Sequence, residues 1–227
     1  MSRPQNCPKI TVLICTLNEA ENLTHVLPKI PGWVDEILLV DGHSTDNTVA
    51  VAQKLRSEIK ALQQPGRGKG NALRYGIQQA SGEIVVTLDA DGSTDPEELS
   101  RFIEPLLNGY DFAKGSRFLS ERPALPWVRC LGNRFFICLT NVLFGTKYTD
   151  LCAGFNAFWR NILPKVDPDG NAYLDEPTLN IRIKKKGLKV KEVPQRDGGR
   201  ICGKPNENFL PQGLRILRII ITERFRD

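Results

Sequence analysis

Along the first half of the chain, short apolar runs alternate with stretches in which apolar residues recur every three to four positions. The runs at 9–15, 36–40, 59–62, 84–88 and 112–114 are brief and rich in β-branched residues, which predicts strands. The stretches 19–27, 46–55, 71–80 and 96–107 predict helices, the last with Pro96 at its first position and acids in its first turn. Strands and helices alternating in this way predict an α/β domain with a mostly parallel central sheet flanked by helices.

Beyond Lys114 the alternation loosens. A Pro-containing loop at 122–126 leads into an apolar segment at 127–144, and a run at 150–159 mixes small with aromatic residues. Residues 176–185 predict a helix, 189–193 an edge strand ahead of Pro194, and the Gly, Pro and Asn content of 197–207 a loop. The tail, 210–227, sets Leu214, Leu217, Ile220 and Ile221 at helical spacing with Arg215, Arg218, Arg224 and Arg226 between them, an amphipathic basic helix. The expected organisation is therefore one domain over 1–209 followed by this helix.

Composition narrows the class. With 227 residues, 41% of them hydrophobic, the chain can bury a full core. Charged residues are 25% of the chain and both signs are dispersed, so a net charge of +5 is no polybasic footprint and implies no nucleic acid. Anionic substrates or a membrane surface are compatible with it. The six cysteines form no CxxC pair and no zinc-like spacing, which reads as reduced and structural. Together with a polar start lacking the apolar core of a signal peptide, they argue for the cytoplasm. No apolar stretch approaches the roughly 20 residues that span a bilayer.

In an open parallel sheet ligands bind beyond the carboxyl ends of the strands, so the polar residues that follow each apolar run carry the candidate chemistry. Asp89 and Asp91 are the most informative, because two carboxylates two residues apart at a strand end can converge on one Mg2+ or Mn2+ ion. An acidic turn before a helix would use the same residues. An EF-hand does not fit, since Thr94 stands at the sixth position, where the sharp turn needs Gly. Gly66–Gly70 lacks both the P-loop spacing and the dinucleotide pattern, yet Lys69 begins a helix whose amides attract anions. Asp41 either binds a nucleoside or opens the turn before a cap at Ser44 or Thr45. The two histidines, His25 and His43, sit beside no persuasive nucleophile, which argues against covalent hydrolase chemistry.

Taken in order, the segments CTLNEAENL, VDGHSTDNT, GKGNALRYG, ASGEIVVTLDADGSTDPEEL, GSRF, GNRF, DLCAGFNAF, YLDEPTLN, LKVKEVP and RICGKPN resemble family 2 glycosyltransferases. The likeness is to the group similar to dolichyl-phosphate mannosyltransferases and bacterial polyprenyl-phosphate sugar transferases. It implies a GT-A fold with a nucleotide-binding half over about 1–116 and an acceptor half over about 117–209. It also implies a UDP- or GDP-sugar donor, Mg2+ or Mn2+, and inversion at the anomeric carbon. By motif position, Thr16, Asn18, Glu19, Asp41, Lys69 and Asp89 would hold the nucleotide, and Asp89 and Asp91 the metal. Arg117, Arg129, Arg200 and Lys204 would face acceptor phosphate, with Arg117 and Lys204 also at the reaction centre. The sequence departs from the family pattern at Cys15 and Leu17, which replace the Pro and Tyr of PTYNE, at Gly42, and at Pro205.

The implied acceptor is a lipid phosphate, an anionic nucleophile that needs no base. A hydroxyl acceptor on a glycan or glycolipid would need one, for which Asp175 and Glu176 are the candidates, although both also suit an acidic helix start. The apolar 127–144 segment and the basic tail favour the lipid phosphate, with the tail lying on a membrane surface or docking on its own domain. A nucleotide-sugar-binding subunit without activity is the alternative of another class, and the intact Asp89 and Asp91 argue against it. A sugar nucleotidyltransferase is set aside, because Thr16–Glu19 contains no Gly.

Overall fold

The computed structural model describes residues 3–5, 7–120, 127–168, 170, 173–204 and 209–226, and no side-chain description extends to residues 128, 129 and 209. Among them, seven strands form one sheet in the order β3-β2-β1-β4-β6-β5-β7. They are β1 (Ile10–Thr16), β2 (Glu36–Asp41), β3 (Lys60–Gln63), β4 (Ile84–Asp89), β5 (Phe112–Ser116), β6 (Asn156–Trp159) and β7 (Val190–Pro194). β6 alone runs antiparallel, between β4 and β5, and the other six are parallel.

Each apolar run forms a strand because the sheet is covered on both faces, and such strands are apolar on both sides. Along β1, Ile10, Val12 and Ile14 point into one layer while Leu13 points into the other. The first layer is closed by α1 (Ala20–Val26), α2 (Thr48–Leu55) and α4 (Leu99–Leu107), whose Leu23, Ala52 and Phe102 are fully buried. The second is closed by α3 (Lys69–Gln79) and α7 (Glu176–Lys185), through Leu73, Ile77, Leu179 and Ile183.

A third cluster lies outside the second layer. There Ile181 of α7 meets Ile137 of α5 (Trp127–Phe144) and Ile216 and Ile220 of α8 (Phe209–Phe225). The C-terminal helix therefore packs on the domain by one of its stripes. It is held further by a buried pair, Arg182 donating to Oε1 of Glu223 at 2.8 and 3.0 Å. Among the described residues between β6 and α7, a 3-10 turn (Arg160–Ile162) leads into the short helix α6 (Leu163–Val166).

The sequence reading differs from the structure in two places. The run at 150–159 ends in β6, a four-residue strand whose antiparallel course has no separate sequence signal. Residues 44 and 45 do not cap α2, which begins only at Thr48, with Asp46 accepting from the Thr48 amide at 3.0 Å.

Candidate active site

Strand order reverses at β1: the chain steps outward to β2 and β3, then returns to place β4 on the other side. The crevice outside the carboxyl ends at such a switch point is the binding position in doubly wound sheets. A cavity of about 310 Å³ lies there, lined by residues that include Thr16, Leu17, Glu19, Gln64, Lys69 and Asp91. Register brings its walls together, with Cys15 opposite Asp89 and Thr16 opposite Asp41.

Lys69, the first residue of α3, reaches across this crevice. Its Nζ lies 2.7 Å from Oδ1 of Asp89 and 2.5 Å from Oε1 of Glu176 at the start of α7. Burial works against the ammonium, but the two carboxylates outweigh it and hold its pKa well above the ordinary lysine value. A single cation thus bridges the end of β4 and the start of α7. Asp175, next to Glu176, is committed differently: it caps α7 by accepting from the Thr178 amide and hydroxyl. Burial raises its pKa, and Arg215 of α8 lies 3.7 Å from its Oδ2.

Two close approaches shape the crevice. Asp89 can lie against the chain at Gly154 only because no Cβ stands there; one would fall 2.1 Å from Oδ2. The Tyr173 ring rests on the glycine-rich loop, where a Cβ on Gly70 would come within 2.7 Å of it.

The loop 195–203 closes the far side. Arg200 donates to both oxygens of Glu19, at 2.8 and 2.7 Å, and to the carbonyl of Cys202. Ile201 donates its amide to the carbonyl of Asp91 at 3.0 Å, and Cys202 exchanges hydrogen bonds with the side chain of Asn22. Oδ2 of Asp91 lies 4.0 Å from the Arg200 guanidinium, and its Oδ1 accepts from the Ser93 amide. Lys204 is exposed at the end of this loop.

Asp41 and Asn18 serve the neighbouring turn. Asp41 accepts from Thr16, and from the amide and hydroxyl of Ser44. Asn18, at a φ of 55°, accepts from the Thr45 amide and hydroxyl. The turn that Asp41 opens is real, and its buried carboxylate stands behind Thr16, which lines the cavity.

Because β5 is parallel to β4, Arg117 emerges at the same edge, two strand positions or about 10 Å from Asp89. Its guanidinium is forked onto Asp150, Nε to Oδ2 at 2.7 Å and Nη2 to Oδ1 at 3.0 Å. Burial opposes both charges, yet the pairing prevails: the Arg117 pKa is raised and that of Asp150 is held well below the usual carboxylate range. Beyond this pair a groove of about 610 Å³ runs along α5, lined by Phe118, Ile137, Cys138 and Val142, with Arg134, Asn141 and Thr149 as polar members. The side chain of Arg129, expected at the acceptor phosphate, lies outside the described residues.

The sequence singled out Lys69, Asp89, Asp91, Glu19 and Arg200, and the structure gathers all five about one crevice. It did not single out Gln64, Asp150, Gly154 or Arg134. Gln64 follows the 59–62 run by one residue, Gln63, and that place after a strand is the one signal that could have marked it. Cys15 also lines the cavity, where burial pushes its thiol up to about 12 and keeps it protonated. The described cysteines are all free thiols.

The switch-point crevice, the paired strand-end acids and the seven-stranded sheet define a GT-A transferase architecture. Its likeness extends to glucosyl-3-phosphoglycerate synthase from Mycobacterium tuberculosis, solved with Mn2+, UDP and glucosyl-3-phosphoglycerate. The TM-score is 0.75 at 21% identity, over 95% of this chain and 80% of that one, a likeness of fold alone. The chain belongs to glycosyl transferase family 2, whose model matches residues 11–167, and it is a glycosyltransferase. It is 28% identical over 223 residues to the dolichyl-phosphate hexose transferase of Haloferax volcanii, covering 96% of either chain. It is 29% identical to glycosyltransferase AglJ of the same organism over 82% of this chain, and spans 61% of that relative's length.

Proposed function

We propose that the protein moves a sugar from a nucleotide-diphosphate sugar to a polyprenyl phosphate, with inversion at the anomeric carbon. The observation that carries this reading is one sheet edge with two unlike surfaces: an acid-and-lysine crevice at β1 and β4, and an apolar groove beginning beside Arg117 at β5. The first suits a charged nucleotide and the second a prenyl chain whose phosphate is drawn to arginine.

Asp89 and Asp91 fit a hard divalent cation. Both are oxygen donors, both are partly exposed, and the ammonium of Lys69 already occupies a cation's place on Asp89. Mg2+ and Mn2+ draw much of their coordination from substrate phosphate and water, so one or two carboxylates are enough to hold them. Such an ion supplies neutralisation of charge on the departing diphosphate. Lys69 serves the same end, turning from its carboxylates to the diphosphate as negative charge grows there. Arg117, steered by Asp150, holds the acceptor phosphate so that one of its oxygens attacks the anomeric carbon from the face opposite the leaving group. Arg200 and Lys204 close the loop over the pair.

The lipid acceptor places the protein at a membrane surface. Among the described residues no helix is long and apolar enough to cross one. α5 exposes Trp127, Leu131, Phe135 and Val142, and α8 exposes Leu210, Leu214, Ile221 and Phe225 among arginines, a composition suited to lying in an interface.

One observation favours a hydroxyl acceptor instead: Glu176 stands in the crevice beside Lys69, where a base would be needed. The deciding experiment supplies purified protein and Glu176→Gln with Mg2+ or Mn2+, a panel of UDP- and GDP-sugars, and either polyprenyl phosphate or water-soluble glycans. Sugar label entering the organic phase, with Glu176→Gln within about threefold of wild type, is expected. Transfer confined to glycans, with loss on the order of 100-fold in Glu176→Gln, overturns the lipid-phosphate reading.

A further inference from the structure

Gln64 follows β3 directly, at the end of the cavity farthest from the acids. Its side chain is 97% hidden, lines the cavity with Thr16, Leu17 and Gly42, and carries an Oε1 with no hydrogen-bond partner among the described residues. Its backbone amide is anchored, donating to the carbonyl of Asp41 at 3.0 Å. A buried acceptor without a donor weakens a fold unless something outside the chain completes it, so its persistence in a ligand cavity asks for a ligand group.

Position says which group. From β4, which carries Asp89, to β3 is three strand spacings, about 14 Å, the scale of an extended nucleoside diphosphate. With the diphosphate at Lys69 and Asp89, the part of the donor that reaches Gln64 is the base. Leu17, half exposed in the cavity wall, offers an apolar surface for a ring. Gly42 leaves the space before the amide open: a Cβ there would lie 3.6 Å from Nε2 of Gln64. The terminal amide turns on a soft torsion, so it can present its oxygen to the cavity with its nitrogen alongside.

We infer that Gln64 is the residue that anchors the donor's nucleobase, its Oε1 accepting from a base N–H and its Nε2 donating to the acceptor beside it. Uracil and guanine offer a ring N–H beside a carbonyl. Adenine and cytosine offer the same pair reversed, an amino donor beside a bare ring nitrogen, and meet the amide turned over. The inference rests on the nucleotide-sugar reading above and adds to it the side chain that holds the base end of the nucleotide.

The test is equilibrium binding of UDP, GDP, ADP, CDP and inorganic pyrophosphate, with Mg2+ present, to wild type, Gln64→Met and Gln64→Asn. Met keeps the length without hydrogen bonding; Asn keeps the amide but withdraws it by one methylene, and carries the comparison where Met is not tolerated. Both variants are expected to weaken the nucleotides that wild type binds on the order of 10-fold, a loss of about 1.4 kcal/mol, and to leave pyrophosphate unchanged. Thermal unfolding without nucleotide is expected to be unchanged or raised in Gln64→Met, since a buried unpaired acceptor is removed. Nucleotide affinities unaltered in the variants, or pyrophosphate weakened as much as the nucleotides, overturns the assignment of Gln64 and leaves the transferase reading standing. A wild type that binds none of the four nucleotides overturns both.

Discussion

At the scale of single residues, the crevice is set by distances that few substitutions can respect. Gly154→Ala would push a methyl into the Asp89 carboxylate, and that short side chain would have to swing. That carboxylate is the nearest group the methyl would meet, so the expected outcome is near-normal thermal stability with kcat/KM reduced about 100-fold, the order expected for a displacement near 1 Å. Asp150 gives the opposite case. It is fully buried against Arg117 and Asn133, so Asp150→Asn leaves a buried guanidinium without its counter-charge and is expected to cost about 3 kcal/mol in denaturant unfolding at pH 7. The folded pKa of Asp150 is depressed, so the pair's contribution is complete above the unfolded carboxylate value near 4 and is lost as pH falls through the folded value. Stability curves of wild type and variant should therefore run parallel at neutral pH and converge only in strong acid. Lys69 and Asp89 were legible because each follows a strand end in a recognisable motif. Asp150 was not, since its meaning comes from Arg117, 33 positions away.

Elements were read more easily than their faces. The strands 36–40 and 84–88 and the helix 176–185 were placed within a residue of their ends, because apolar periodicity reports burial directly. The tail's helix was equally plain, but periodicity could not say which stripe of it is covered. Packing decides: Ile216 and Ile220 go inward with Glu223, while Leu214 and Ile221 stay outside. The Arg182–Glu223 pair makes this attachment strong, both side chains being under a tenth exposed. Glu223→Gln should lower stability by about 3 kcal/mol and open Phe209–Phe225 to proteolysis before the sheet is attacked. Since Arg215 of the same helix lies against Tyr173 and Asp175, nucleotide binding should weaken in step with that loosening.

For the whole molecule, the functional edge follows from topology. Six parallel strands end on one side, and the residues after β1, β2, β4 and β5 have nowhere else to project. That much the alternation of apolar runs foretold, whereas the insertion of β6 between β4 and β5, which sets the spacing from crevice to groove, comes only from three-dimensional pairing. The apolar stripes shown by α5 and α8 belong to this scale too. Cosedimentation with anionic vesicles at low salt is expected to capture the wild type, and Trp127→Ala with Phe225→Ala to reduce the bound fraction severalfold. Protein that stays in the supernatant at low salt would remove the membrane from the account.

The strap of Arg200 on Glu19 joins positions 181 residues apart. On a ribosome adding roughly 5–20 residues each second, Glu19 would wait on the order of 10–40 s for its partner to be made. Most of the sheet can pair in that interval, but the crevice cannot be completed. A nascent chain would thus hold most of its sheet before it is a working site, and one that stopped short of Arg200 would lack both the clasp and the helix Phe209–Phe225 that shields Ile181 and Arg182.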